Sequence, residues 1–177
     1  MNRRLHIILL LLALAIVPAL TSCHSRRHTV RGHQAEVVDV RKGNKPTETS
    51  AKGDAKKVIT ESRRWLGTPY KYGGQTRRGM DCSGMVQVVY DNALGLKLPR
   101  SSRDMADYSK RISRKDLRPA DLVFFVSQPG GSRINHVAIY LGDGRIIHST
   151  TSKGVIESNL DEGYWKSHFY CCGRVLK

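Results

Sequence analysis

The sequence predicts an α+β domain in which N-terminal helices pack on an antiparallel β-sheet. Two observations carry this. Between residues 54 and 108, apolar side chains recur at helical spacing. From there to the C-terminus, short apolar runs alternate with turn residues, and Gly142-Asp143-Gly144 between two of them is a strong hairpin signal.

Taking the elements in order, Asp54 can cap a helix over 54–65 that places Val58, Ile59, Ser62, Trp65 and Leu66 on one face, with Gly67 as its stop. A glycine-rich loop follows, Thr68-Pro69-Tyr70-Lys71-Tyr72-Gly73-Gly74-Gln75. A second helix is expected over 82–94, from the spacing of Met85, Val86, Val89, Tyr90 and Ala93, and Gly95 ends it. Ser101 or Ser102 caps a short third helix reaching about residue 108. Strands are expected over 121–126, 137–141 and 145–148, with further strands at 155–157 and 169–175 and a helical turn over 161–166. The sequence has no internal repeat.

The first residues belong to no domain. Arg3 and Arg4 precede an apolar run over 5–20, broken only by His6 and Pro18. A comfortable membrane span needs roughly 20 apolar residues. The run therefore reads as a secretory signal peptide over 1–22. Leu20-Thr21-Ser22-Cys23 resembles the bacterial lipobox, which implies that the Cys23 thiol receives a diacylglycerol and becomes the first residue after cleavage. Each buried CH₂ of an acyl chain such as palmitate contributes about 0.8 kcal/mol, so several chains hold a protein on a membrane. His24 follows the cysteine where aspartate would favour inner-membrane retention. The expected location is therefore the cell envelope, anchored in the outer membrane and facing the periplasm. Residues 23–53 are polar and poor in large apolar side chains, and read as a flexible lipidated tether, with Val37, Val38 and Val40 as a candidate short strand. The folded domain is expected over 54–177.

Thirty Lys and Arg against fifteen Asp and Glu give a formal charge of +15. Such an excess suits anionic lipid headgroups, wall polymers or nucleic acid. An export signal argues against nucleic acid, and a solvated basic surface is the plainer alternative. Of the four cysteines, Cys171 and Cys172 are adjacent. Neighbouring cysteines rarely bond, because a disulfide wants Cα atoms about 5.5 Å apart. They are expected as free thiols packed on a terminal strand.

Cys82 stands apart, in Asp81-Cys82-Ser83-Gly84 at the start of a helix. The positive end of the helix dipole is expected to lower the thiol pKa, and the thiolate is the nucleophile. The free N–H of Cys82 can face a developing oxyanion. Gly84 permits close packing beside the sulfur. His136 and His148 lie on the two strands that the hairpin joins, about equally far from the turn. They can sit side by side, one facing the sulfur and the other orienting the first. Two unrelated surface histidines are the alternative. A cysteine and two histidines can also ligate zinc. No acidic partner stands at motif spacing, however, so neither metal nor cofactor is expected.

In order, Gly67-Thr68-Pro69-Tyr70-x-Tyr72-Gly73-Gly74, Asp81-Cys82-Ser83-Gly84, Leu98-Pro99-Arg100-Ser101, Pro119-Ala120-Asp121-Leu122-Val123-Phe124-Phe125, Asn135-His136-Val137-Ala138-Ile139-Tyr140 and Ile147-His148-Ser149 resemble the NlpC/p60 family of cell-wall cysteine endopeptidases. The resemblance spans most of 54–177. It implies a papain-like fold in permuted chain order and a catalytic triad of Cys82, His136 and His148. Tyr70 matches the tyrosine whose hydroxyl lies near the nucleophile, to assist the oxyanion or hold substrate. Asp81 and Ser83 match positions that help bind a free substrate amine, with helix capping as their other role. Arg100 and Ser101 match a structural block. Many relatives carry separate wall-binding domains. This chain is expected to have none, its lipid anchor holding it beside the wall.

The expected function is a monomeric, lipid-anchored endopeptidase that hydrolyses an amide bond of the peptidoglycan stem peptide or cross-link. The alternatives are an idle wall-binding lipoprotein and an amide or acyl transferase on the same fold.

Overall fold

The computed structural model describes residues 48–177. The expectations for the signal peptide, for Cys23, for most of the tether and for the strand at Val37, Val38 and Val40 lie outside the described residues.

Helix α1 spans Glu48–Arg63 and so starts six residues before Asp54. The last turns of the expected tether are helical. Beyond Pro46 nothing in the sequence forbids a helix interior, and Gly53 costs only about 1 kcal/mol relative to alanine. Val58 and Ser62 of its inner face, and Trp65 in the turn just beyond it, are buried, while Leu66 stays exposed. The short strands β1 (Gln75–Thr76) and β2 (Gly79–Met80) then pair as a small hairpin that sequence periodicity does not reveal. Helix α2 spans Cys82–Leu94, with Asp81 as N-cap and Gly95 at φ 67° as the left-handed C-cap. Helix α3 spans Ser102–Tyr108 with Ser101 as its cap. The Glu61 carboxylate ties α1 to α2 by accepting from Trp65 Nε1 at 3.0 Å and Asn92 Nδ2 at 2.9 Å.

The second half supplies β3 (Lys110–Ile112), a 3₁₀ turn (Arg114–Asp116), β4 (Leu122–Val126), β5 (Ile134–Gly142), β6 (Arg145–Thr150), β7 (Gly154–Asn159), α4 (Gly163–His168) and β8 (Phe169–Arg174). These strands form one sheet in the order β3-β8-β4-β5-β6-β7, with every pairing antiparallel. The helices cover one face. There Met85, Val86, Val89 and Tyr90 of α2 meet Phe124, Val137, Ile139 and Ile147. The other face has a smaller core of Val123, Phe125, Ala138, Ile146 and Leu160, against which Trp165 of α4 packs. Covered on both faces, all five residues of β4 are buried, which explains why that segment reads as an unbroken apolar run. Asp143 and Gly144 both take positive φ, at 50° and 71°, as a type I′ hairpin turn requires. Cys171 and Cys172 are buried free thiols on β8.

Candidate active site

Asp81 builds the start of α2. Its carboxylate accepts from the N–H of Gly84 at 2.6 Å and from that of Gly73 at 2.8 Å, so the glycine-rich loop is strapped to the helix. Arg100 binds it with two nitrogens, at 3.0 and 2.6 Å, and also donates to Ser83 Oγ at 2.8 Å. Ser83 in turn donates to Asp81 at 3.3 Å. Burial alone would push the Asp81 carboxyl up. The Arg100 guanidinium and the two backbone N–H groups outweigh that and hold it below the usual carboxylate range. The loop can approach this closely only because residue 84 is glycine: a β-carbon there would collide with the Gly74 carbonyl oxygen. Five donors thus converge on two buried oxygens. Asp81 and Ser83, expected to meet a substrate amine, are occupied with the cap and with Arg100.

Cys82 is the first residue of α2 and is half-buried, its thiol reached by the N–H groups of Val137, Ser83 and Cys82 itself. Burial nevertheless pushes the thiol up, and the Asp81 carboxylate adds to the rise. The expected depression by the helix terminus does not prevail, because partial withdrawal from water penalises the thiolate more than these donors favour it.

The two candidate histidines sit on the sheet. Strands β5 and β6 are paired from Ile139↔Ile147 to Gly142↔Arg145, with a bulge between Tyr140 and Gly142. The Val137 N–H is near enough to the Cys82 sulfur to favour its thiolate. This sets the thiol beside the His136–Val137 peptide. In this register His136 and His148 are diagonal neighbours rather than directly opposed. They meet with His136 Nε2 2.8 Å from His148 Nδ1. His148 is fully buried, and its Nε2 lies 2.9 Å from Ser158 Oγ on β7. Among the described residues His136 Nδ1 has no hydrogen bond. If Nδ1 is to accept a proton, His136 Nε2–H donates to His148 Nδ1, and His148 Nε2–H donates to Ser158. The relay therefore fixes both tautomers. Burial lowers His136 to about 4, and burial followed by the neighbouring His136 lowers His148 to about 3. Both rings are neutral near pH 7. Their facing nitrogens bind each other.

Tyr70 stands on the loop ahead of α2. Backbone bonds from Gly67 N to Val155 O at 2.9 Å and from Val155 N to Thr68 O at 2.9 Å pin that loop to β7. The Tyr70 phenol is raised first by burial and then by the charges of Cys82 and Asp81.

Three contributors escape the sequence reading. Arg100 was legible only as part of a structural block, and its double bond to Asp81 is tertiary. Ser158 lies just past the strand expected at 155–157. Trp165 stacks on His136 at 5.3 Å between ring centroids and meets His148 edge-on at 4.2 Å, closing over the imidazole pair. A tryptophan in a short helical turn gives no local sign of that role.

Residues 67–174 match the NlpC/P60 family. The chain belongs to that family. The probable endopeptidase NlpC of Escherichia coli (strain K12) is 45% identical over 111 residues, which is 63% of this chain and 71% of that protein. The murein DD-endopeptidase MepS/murein LD-carboxypeptidase of the same strain is 41% identical over 120 residues, 68% of this chain and 62% of its own length. In three dimensions, a crystal structure of an NlpC/P60 family protein from Bacillus cereus superposes with TM-score 0.66 and 30% identity, over 70% of this chain and 40% of that one. The NlpC/p60 domain of the peptidoglycan hydrolase SagA gives TM-score 0.60 at 29% identity, over 68% of this chain and 98% of that domain. The α+β domain is thus the papain-like fold of NlpC/P60 cysteine peptidases, with N-terminal helices on an antiparallel sheet.

Proposed function

We propose that this NlpC/P60 cysteine peptidase is a peptidoglycan endopeptidase that cuts an amide bond of the stem peptide or its cross-link through Cys82, His136 and His148. The observation that carries the reading is the 2.8 Å contact between His136 and His148, with the free Nδ1 of His136 on the residue beside the one that holds the thiol.

The Cys82 S–H proton passes to His136 Nδ1 as the sulfur attacks the amide carbon. The Cys82 N–H and the Tyr70 hydroxyl are the donors at hand for the resulting oxyanion. Collapse breaks the C–N bond, and the leaving amine takes the proton from Nδ1, leaving a thioester. Water then attacks with Nδ1 as base, releasing the carboxylic acid and restoring the thiol. His148 is a positioning residue that holds the His136 tautomer, and Ser158 holds His148. The relatives named above for murein and peptidoglycan support the substrate class. Lipidation at Cys23 and placement in the outer membrane belong to the same reading, resting on the lipobox-like Leu20-Thr21-Ser22-Cys23 and on His24. The anchor keeps the enzyme at its insoluble substrate.

One preparation tests this. The full chain, extracted in neutral detergent, is incubated with purified peptidoglycan and its muropeptides beside Cys82→Ala, and the products are weighed. Wild type is expected to yield peptide fragments whose masses sum to the substrate plus one water, and the variant at least about 10³-fold less. Products joined to an added amine would indicate transfer instead. Undiminished cleavage by Cys82→Ala would remove the sulfur from the mechanism. The N-terminal peptide of the same preparation is expected to begin at Cys23 carrying a diacylglycerol mass, and an unmodified Cys23 would end the anchor proposal.

A further inference from the structure

Beside the active site lies a concave basic surface that the mechanism above does not use. A cavity of about 340 Å³ opens between α3, β3, the start of β5 and the start of β8, with Arg103, Arg111 and Arg133 among its lining residues. Ala106, Ile134 and Tyr170 give it an apolar floor. Asp107 is the one carboxylate in the lining. Among the described residues, none of the three guanidiniums has a carboxylate within 4 Å. Arg111 is steadied by the Tyr170 ring, its guanidinium 5.3 Å from the ring centre.

The cavity is joined to the catalytic groups by two elements. Arg103 follows Arg100 by three residues, and Arg100 holds Asp81 and Ser83 on either side of Cys82. Ile134 opens β5, two residues before His136. Converging like charges around a concave surface repel one another, and an anion relieves that repulsion. Guanidinium forks match the paired oxygens of carboxylate or phosphate.

We propose that Arg103, Arg111 and Arg133 form an oxyanion subsite that binds a carboxylate or phosphate group of an envelope polymer while Cys82 works on a neighbouring bond. The site itself stands on its own geometry, and only the identification of its ligand as substrate rests on the endopeptidase reading. Two sources share the chemistry: a free carboxylate of the stem peptide and a phosphate of another envelope component.

The test uses the full chain in neutral detergent at low salt, carrying Cys82→Ala so that substrate survives. Arginine Nε–Hε NMR signals are followed while inorganic phosphate, and separately a free stem tetrapeptide, is added. Signals of Arg103, Arg111 and Arg133 are expected to move together and saturate, with binding at least about tenfold weaker in the combined R103Q, R111Q and R133Q variant and weakened by added salt. Should that variant fail to fold, Arg133→Gln alone, in an exposed segment, is expected to lose about threefold. Saturation by phosphate and tetrapeptide alike supports the site and assigns it to substrate. Saturation by phosphate alone supports the site and assigns it to a phosphate-bearing partner. No saturable shift with either ligand overturns the proposal. Peptidoglycan cleavage by the wild type is measured in parallel. Its absence alongside saturable phosphate binding would fell the endopeptidase reading while leaving the subsite in place.

Discussion

The two sides of the active site are held by different physics. On the helix side, Cys82 is placed by charge: one buried carboxylate, Asp81, gathers two backbone N–H groups, a serine and a doubly bonded arginine. On the sheet side, His136 and His148 are placed by strand register and by apolar cover from Trp165 and Phe125. The charged side fixes where the sulfur sits, and its residues should govern stability. The apolar side keeps two imidazoles neutral and should govern chemistry. Substitutions on the two sides should therefore separate stability from pH dependence.

The largest effect is expected on the charged side. Arg100→Met leaves the Asp81 carboxylate buried with only its two backbone donors and the Ser83 hydroxyl. A fully buried pair would cost about 3–5 kcal/mol on losing one partner. The Arg100 side chain is 41% exposed, so solvent already screens part of the interaction, and about 1–3 kcal/mol is expected. Because the folded Asp81 is held below the usual carboxylate range, its contribution is complete above the unfolded carboxyl pKa. It is lost as pH falls through the lower folded value. Arg100→Met raises that folded value, so urea melts between pH 3 and 7 should show a smaller acid-dependent loss than wild type. An unchanged midpoint at pH 7 would mean that the helix cap stands without Arg100.

The apolar side comes next. Trp165→Ala admits water to the imidazoles, and their pKa values should climb from about 4 and about 3 toward 6.5. A base must be neutral to act, so the acidic limb of kcat/KM should move upward in pH. If His136 returned fully to 6.5, its neutral fraction at pH 5 would fall about thirtyfold, and partial rewetting should give about tenfold. At pH 7 the loss should be severalfold smaller. The linked stability follows. The unfolded chain takes these protons near pH 6.5, so wild type loses stability as pH falls from 6.5 through about 4, and the variant loses less over that window. A parallel drop in kcat/KM at every pH would show instead that Trp165 acts on geometry and not on water.

What the sequence disclosed follows the same division. Elements whose ends are set by their own residues were readable: α2 begins at Cys82 and ends at Leu94, as capping by Asp81 and Gly95 implies. The hairpin that brings the histidines together was readable from Asp143-Gly144. The β5–β6 bulge was not, and its one-residue register shift is what puts His136 and His148 on the same face as diagonal neighbours. Strand β3, with Lys110 and Arg111 in a three-residue edge, lacks the apolar alternation that marks a strand. The Cys82 pKa went the other way from the local expectation because desolvation belongs to the folded whole. Local chemistry was legible, and what depended on distant cover was not: Trp165 over the dyad, Arg100 on Asp81, Ser158 behind His148.

Ser158 gives the smallest and most discriminating effect. Its Oγ is the partner of His148 Nε2 at 2.9 Å, at the far end of a chain that starts at the thiol. Ser158→Ala removes no reacting group and opens little space. It does leave a buried imidazole N–H without an acceptor, at a cost of about 1–3 kcal/mol that His148 can escape by shifting its proton to Nδ1. That tautomer can no longer accept from His136 Nε2, so His136 is no longer held with Nδ1 open to the sulfur. Expected is a fall in kcat of about three- to tenfold with KM unchanged, together with a change in the His148 ring ¹⁵N shifts that reports the tautomer. Ser158→Thr keeps the hydroxyl and should restore both readouts. If Ser158→Ala lowers stability while kcat and the ring shifts stay as in wild type, the chain of positioning ends at His148, and β7 contributes packing alone.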